Sequence, residues 1–268
     1  MPTPARARIT VHAAAAGLLA MHAAAPALAQ SDEIQVYDGS VAAPGTLSLT
    51  LHGNYTFDGS TMPEFPGGLT TNHALHGAAE WALGLRPWFE AGLYLPLYSV
   101  MPGGHVYGNG YKLRALFVKP DAEHSRFFYG VNFEFSDNAR RWDETRYTNE
   151  IRPIIGWHFG EIDLVFNPIL DNDYRGAGNL DFAPSTRLAW HLGPRWAVAA
   201  EEYAEFGPLR HFQAGQAQSH QLFGVVDYSG QAWEIEAGLG AGLTDAADGL
   251  VFKLIVARDL GKGLFHIK

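Results

Sequence analysis

Charged side chains recur at alternate positions inside stretches that are otherwise apolar: Glu80, Glu90, Lys112, Arg114, Glu134, Glu150, Arg152, Arg187 and Glu234. Acids and cations share one side of successive stretches, so cross-strand pairs such as Arg114 with Glu134 are expected. Rows of this kind fit a charge-paired interior or a selective polar conduit, and the two coexist if the network lines a narrow path. A second group is aromatic. Phe65, Tyr107, Trp142 and Phe212 stand in segments that connect those stretches, where apolar groups capture a hydrophobic ligand, pack loops together or meet lipopolysaccharide.

Covalent chemistry finds little support. The chain has no cysteine, which removes disulfides, thiolate metal sites and Cys nucleophiles together. A barrel hydrolase would place a His two residues from a Ser on an outward face, but Ser219 and His220 are adjacent and face opposite ways. No G-x-S-x-G is present. Among 12 histidines, His73 and His76 point to opposite faces of a strand, and His52, His76, His158 and His191 lack ligand spacing. Asp171, Asp173 and Gly176 look like the start of a calcium loop, but Phe182 stands where the bidentate Glu belongs. The run Gly238-Leu239-Gly240-Ala241-Gly242 lies inside a strand, where close packing of the wall explains it better than nucleotide binding. The expectation is a chain with no catalytic residues, no metal and no cofactor.

The elements that carry these residues are strands. From Thr46 onward nearly every stretch of about ten residues alternates apolar with polar or small, the period-2 signature of a strand with two different faces. Leu47, Leu49, Leu51, Gly53 and Tyr55 share one side, and Ser48, Thr50, His52 and Asn54 the other. Phe133 and Phe135 oppose Asn132, Glu134 and Ser136 in the same way. This reading gives about twelve strands, near 46–57, 72–85, 88–99, 109–118, 126–137, 145–159, 161–170, 179–192, 196–206, 219–228, 231–243 and 249–258. Short connections (Arg86-Pro87, Gly160-Glu161, Gly193-Pro194-Arg195, Ser229-Gly230) alternate with mostly longer ones (58–71, 100–108, 138–144, 171–178, 207–218). An even strand number with long loops gathered at one end is the pattern of an outer-membrane barrel, and aromatics near strand ends fit its interfacial girdles.

Composition agrees. The 268 residues are 47% hydrophobic and 18% charged, with a formal charge of −9, so the basic footprint that nucleic acid requires is missing. Residues 1–29 run from Arg6 and Arg8 through an Ala/Leu-rich stretch to Ala27-Leu28-Ala29, which reads as a cleaved secretory signal.

The opening Asp32-Glu33-Ile34-Gln35-Val36-Tyr37-Asp38, with Ala43-Pro44-Gly45-Thr46-Leu47-Ser48-Leu49-Thr50-Leu51-His52-Gly53-Asn54-Tyr55, resembles a bacterial outer-membrane family named for the MetA pathway of phenol degradation. The resemblance implies a transmembrane antiparallel β-barrel that passes or binds small aromatic or apolar molecules. One departure is that the chain continues past its last good strand to Phe265-His266-Ile267-Lys268 instead of ending on an aromatic residue. The expected organisation is a signal at 1–29, a periplasmic or plug segment at 30–45, a barrel at 46–258 and a tail at 259–268. Expected partners are outer-membrane lipid and lipopolysaccharide, the barrel-assembly machinery and a small apolar solute, with the chain a monomer that binds no nucleic acid. A closed structural or surface-binding barrel is the alternative, followed by an outer-membrane hydrolase.

Overall fold

A computed structural model describes residues 33–176 and 179–262; the expected signal and the end of the chain lie outside them. Among the described residues all regular structure is β apart from short 3-10 turns. The strands are β1 (Thr46–Asp58), β2 (Leu75–Arg86), β3 (Phe89–Met101), β4 (His105–Val118), β5 (Phe127–Asn138), β6 (Tyr147–Phe159), β7 (Ile162–Asn167) and β8 (Leu170–Asn172). They continue as β9 (Asp181–Phe182), β10 (Ser185–His191), β11 (Trp196–Glu205), β12 (Gly207–Pro208), β13 (Ser219–Ser229), β14 (Glu234–Gly242) and β15 (Leu250–Lys262).

Every neighbour pair is antiparallel, and the sheet closes on itself. β1 pairs with β15 (Leu51 opposite Val256), and β6 pairs with β7 (Gly156 opposite Val165). Three crossings of the wall are interrupted: β7 and β8 flank Pro168-Ile169, β9 and β10 flank Ala183-Pro184, and β11 and β12 flank Phe206. A proline has no N–H to give a ladder, so the first two breaks fall where the residue type requires them. Counting each interrupted pair as one crossing, the barrel has 12 strands.

The ends differ as expected, with one correction. Segments 59–74, 139–146, 173–176 with 179–180, 209–218 and 243–249 gather at one end. The expected loop at 100–108 is instead a hairpin that extends the wall: β3 reaches Met101, β4 begins at His105, and the turn uses Gly103 and Gly104 at φ +87° and +83°. Two glycines in the left-handed region let the chain reverse in three residues. At the other end, β15 continues to Lys262, past the expected limit at 258.

Facing follows the alternation. Leu51 and Phe133 are 46% and 41% exposed, whereas His52 and Asn132 are 1% and 0% exposed. The exterior carries Trp81, Leu113, Tyr129, Leu188, Leu222 and Leu239, all exposed. Trp88, Phe89 and Phe117 stack near the short turns, and Phe135 stacks on Tyr147 nearer the long loops. A closed wall pairs backbone groups between neighbouring strands, and an apolar outer belt between aromatic rims is the surface a bilayer requires of it. Inside, Gly240 makes room for a ring: a Cβ there would lie 2.4 Å from Phe223. Close approach therefore explains the glycine run of β14.

Candidate functional site

The luminal face holds two ion-pair networks. In the first, the Arg114 guanidinium lies 2.6 Å from Glu80 Oε1 and also binds Glu90, while His52 Nε2 sits 3.2 Å from Glu80 Oε2. Glu134 accepts from Asn132 Nδ2 at 2.9 Å and faces Lys112 Nζ at 3.6 Å. Arg152 donates twice to Glu150, at 2.7 and 2.9 Å, in a planar two-point pair. In the second network, Arg187 binds Glu201, Asp227 and Glu236, and Lys253 binds Glu201 and Glu236. The Tyr203 hydroxyl donates to Glu201 at 2.6 Å.

Between the networks runs the segment that precedes β1. Ile34, Val36 and Tyr37 are buried inside the barrel. Val36 and Tyr37 pack with Leu116, Val118, Phe128, Ile154 and Val165, and Ile34 packs with Phe223, Val225 and Val251. Arg152 Nη1 donates to the Gln35 carbonyl at 2.9 Å, and Lys253 Nζ donates to the Ile34 carbonyl at 3.2 Å. Asn167 accepts from the Tyr37 N–H at 2.8 Å and donates back to its carbonyl at 3.1 Å. The Tyr37 and Tyr94 hydroxyls are 2.6 Å apart, and the Tyr37 ring lies 5.6 Å from the Arg114 guanidinium and 4.6 Å from that of Arg152. Cations facing a ring are attracted by its electron-rich face.

Above this segment, toward the long loops, a cavity of about 510 Å³ is lined by both walls and loops. Glu33, Ile34 and Gln35 contribute to its lining, and Phe65 and Trp142 add aromatic surface. Acids dominate its rim: Glu64, Asp143, Glu144, Asp171, Asp173, Asp181, Glu205 and Asp248 line it, against Lys112, Arg152 and Arg175 as the cations. Burial, and then the nearby Asp143 and Glu144, push the Glu64 carboxyl up to about 7. Loop 59–74 is tied down beside it, because Asp248 accepts from Thr71 Oγ1 at 2.6 Å and from the Ser60 N–H at 3.2 Å. The Leu69 N–H donates to the Arg141 carbonyl at 3.0 Å.

The expected conduit residues divide clearly. Glu80, Glu90, Arg114, Glu134 and Arg152 are buried in the first network with Lys112 and Glu150, and Arg187 anchors the second. Glu234 is exposed at the short-turn end of β14 and joins neither network. Arg114 and Glu134 do face each other in register, but Arg114 turns to Glu80 and Glu90. Gly92 permits this: it lies opposite Arg114 in β3, and a Cβ there would be 2.7 Å from Nε. The expected capture residues do not converge. Phe65 and Trp142 line the cavity; Tyr107 stands in β4 under Arg141, 4.8 Å away, and Phe212 packs with Phe182 and Phe206. Tyr37, Tyr94 and Tyr203 are luminal partners beyond the expected residues. For Tyr94 the signal was available, since it shares the parity of Glu90 in β3.

His158 Nδ1 and His191 Nε2 both lie 2.6 Å from Asp163, and His76 Nδ1 lies 2.6 Å from Ser99 Oγ. Among the described residues no three His, Asp or Glu side chains are arranged to hold a metal. Asp173, in the stretch that only looks like the start of a calcium loop, is engaged by Arg175.

No family model and no curated protein matches the chain. Its fold is similar to that of an outer-membrane channel from Pseudomonas putida F1, at 13% identity and a TM-score of 0.56, over 85% of this chain and 100% of that one. The translocator domain of the autotransporter NalP from Neisseria meningitidis aligns at 12% identity with a TM-score of 0.41, over 80% and 88% of the two chains. The barrel, its apolar exterior and the first of these likenesses give the chain the architecture of the Gram-negative outer membrane.

Proposed function

We propose that the chain is an outer-membrane channel for small neutral or cationic molecules with an aromatic or apolar part, admitted through the acidic cavity at the long-loop end. The observation that carries this reading is the cavity itself: Phe65 and Trp142 stand within a lining where acids outnumber cations. An acidic mouth with low-dielectric walls concentrates cations and repels anions. Deeper in the lumen, the chain's own Tyr37 ring sits by Arg114 and Arg152 with its hydroxyl hydrogen-bonded, which supports the aromatic part of the reading. The aromatic part of the reading also draws on the resemblance of residues 32–55 to the phenol-degradation family.

Reconstitution in planar bilayers tests this. In a potassium chloride gradient the reversal potential is expected to have the sign of cation selectivity, and 2-phenylethylamine is expected to interrupt the current at concentrations where phenylacetate does not. Anion selectivity, or equal block by both molecules, would overturn the reading.

A further inference from the structure

Residues 33–45 form no strand and share no ladder with the wall, yet they fill the space between the two networks. A wall element is held by a continuous ladder. This strap is held otherwise, through isolated contacts: two carbonyls taken by Arg152 and Lys253, an ion pair from Glu33 to Arg152 at 3.8 Å that adds to the one Arg152 makes with Glu150, a reciprocal pair with Asn167, and the Tyr37 hydroxyl on Tyr94 and Glu134. A further bond, from the Ala42 N–H to Glu90 at 2.6 Å, lies nearer the point where the strap meets β1.

The cations that hold the strap do not depend on it. Arg152 keeps both bonds to Glu150, and Lys253 keeps Glu201 and Glu236, whether or not the carbonyls are present. Losing the strap therefore leaves no buried charge without its counter-ion, the event that makes breaking an internal ion pair costly. The remaining cost is the exposure of Ile34, Val36 and Tyr37 and of the apolar patches beneath them. Gly39 and Gly45, at φ +86° and +79°, bracket the link between the buried residues and β1. Glycine tolerates these and other backbone angles, so the strap can turn at two points beside the wall once Gly39 leaves the Phe128 ring and Gly45 gives up its N–H bond to the Gly84 carbonyl at 2.7 Å.

We propose that the strap is a displaceable stopper: residues 33–38 swing out of the lumen as a unit about Gly39 and Gly45, while both networks stay closed. Displacement joins the cavity to the short-turn end along a path with an apolar wall on each side. The inference rests on the channel reading for its consequence, though the motion can be measured without it.

The chain has no cysteine, so a pair introduced as Tyr37→Cys with Asn167→Cys, at positions joined by two hydrogen bonds, can lock the strap. In bilayers the reduced double variant is expected to conduct, and oxidation is expected to cut its open-state conductance at least tenfold, reversibly with dithiothreitol. Equal conductance in the two redox states of a chain shown by mass spectrometry to be disulfide-linked would overturn the stopper and leave the channel standing. Separately, Val36→Cys is expected to react with a water-soluble maleimide in the folded, detergent-solubilised protein at a measurable rate. Complete protection, with labelling only on unfolding, would overturn the motion. Labelling without any conductance would support the motion and remove the channel.

Discussion

The two luminal networks use the same residue types and differ in how those residues are wired. In the second, Arg187 and Lys253 share Glu201 and Glu236, and Asp227 completes a closed group in which Lys253 and Glu201 are 0% exposed. In the first, Arg114 holds Glu80 and Glu90, Lys112 faces Glu134, and Arg152 holds Glu150, three units that share no wall carboxylate. A shared carboxylate makes each member depend on the others; separate units can be altered one at a time. The compact network therefore fastens the wall, and the divided one is where the passage can be tuned.

The sharpest test of that difference is Lys253→Met. Removing the ammonium strips Glu201 of one of its two cations at a fully buried position, and the cost of breaking such a pair is about 3–5 kcal/mol. The denaturation midpoint of the detergent-solubilised barrel is expected to fall accordingly. Lys112→Met is the matched change in the divided network. Glu134 lies 3.6 Å away, beyond hydrogen-bonding reach, and keeps the Asn132 amide when the ammonium is gone, so a smaller loss than for Lys253→Met is expected. Similar losses from the two variants would erase the distinction. A smaller effect, read as current rather than stability, is expected of Glu134→Gln. It conserves volume and cancels one charge beside Lys112, so the reversal potential should shift toward anions with the fold unchanged. An unaltered reversal potential would place Glu134 off the conducting path.

Much of this was legible in the sequence because a closed sheet obeys a strict period. Alternation puts Phe133 on the face opposite Asn132 and Glu134 and gives the crossings to within a few residues, and the loop pattern and aromatic rims of a membrane barrel turn Phe133 outward. Partner choice was not legible. Arg114 opposes Glu134 in register yet binds across two strands, and the cause is an absence: Gly92 leaves open the space its side chain crosses. For the leading segment the sequence offered two places, periplasm or plug, and its contacts were not legible for a different reason. Ile34, Val36 and Tyr37 read as apolar residues in a short leading segment, and nothing local says that their partners lie as far along the chain as Phe223 and Val251. The aromatics of the long segments misled in the opposite sense. Tyr107 and Phe212 were grouped with Phe65 and Trp142 by connection, but the hairpin at 102–104 and the Phe182–Phe206 stack draw them elsewhere.

The smallest expected effect concerns the mouth that both networks serve. Glu64 stands in loop 59–74 near Asp143 and Glu144 of loop 139–146, and burial together with these neighbours raises its carboxyl to about 7. A carboxyl whose folded value lies above its unfolded one binds its proton more tightly when the loop is packed. The packed loop therefore gains stability as pH falls from above 7 toward the ordinary carboxylate range near 4.5, and loses that gain as pH rises back through about 7. Two consequences follow in opposite directions. Above pH 7 the ionised Glu64 adds negative charge to the cavity and strengthens cation selectivity, while the same charge loosens the contact that holds loop 59–74 against its neighbour. Reversal potentials measured at pH 6 and pH 8 should show the selectivity change, and proteolysis within loop 59–74 should be faster at pH 8. Glu64→Gln should remove most of both differences, because the amide cannot ionise and keeps the volume. If the variant retains the full pH dependence, the titration belongs to other rim acids such as Asp143 or Asp248, whose carboxyls burial also raises.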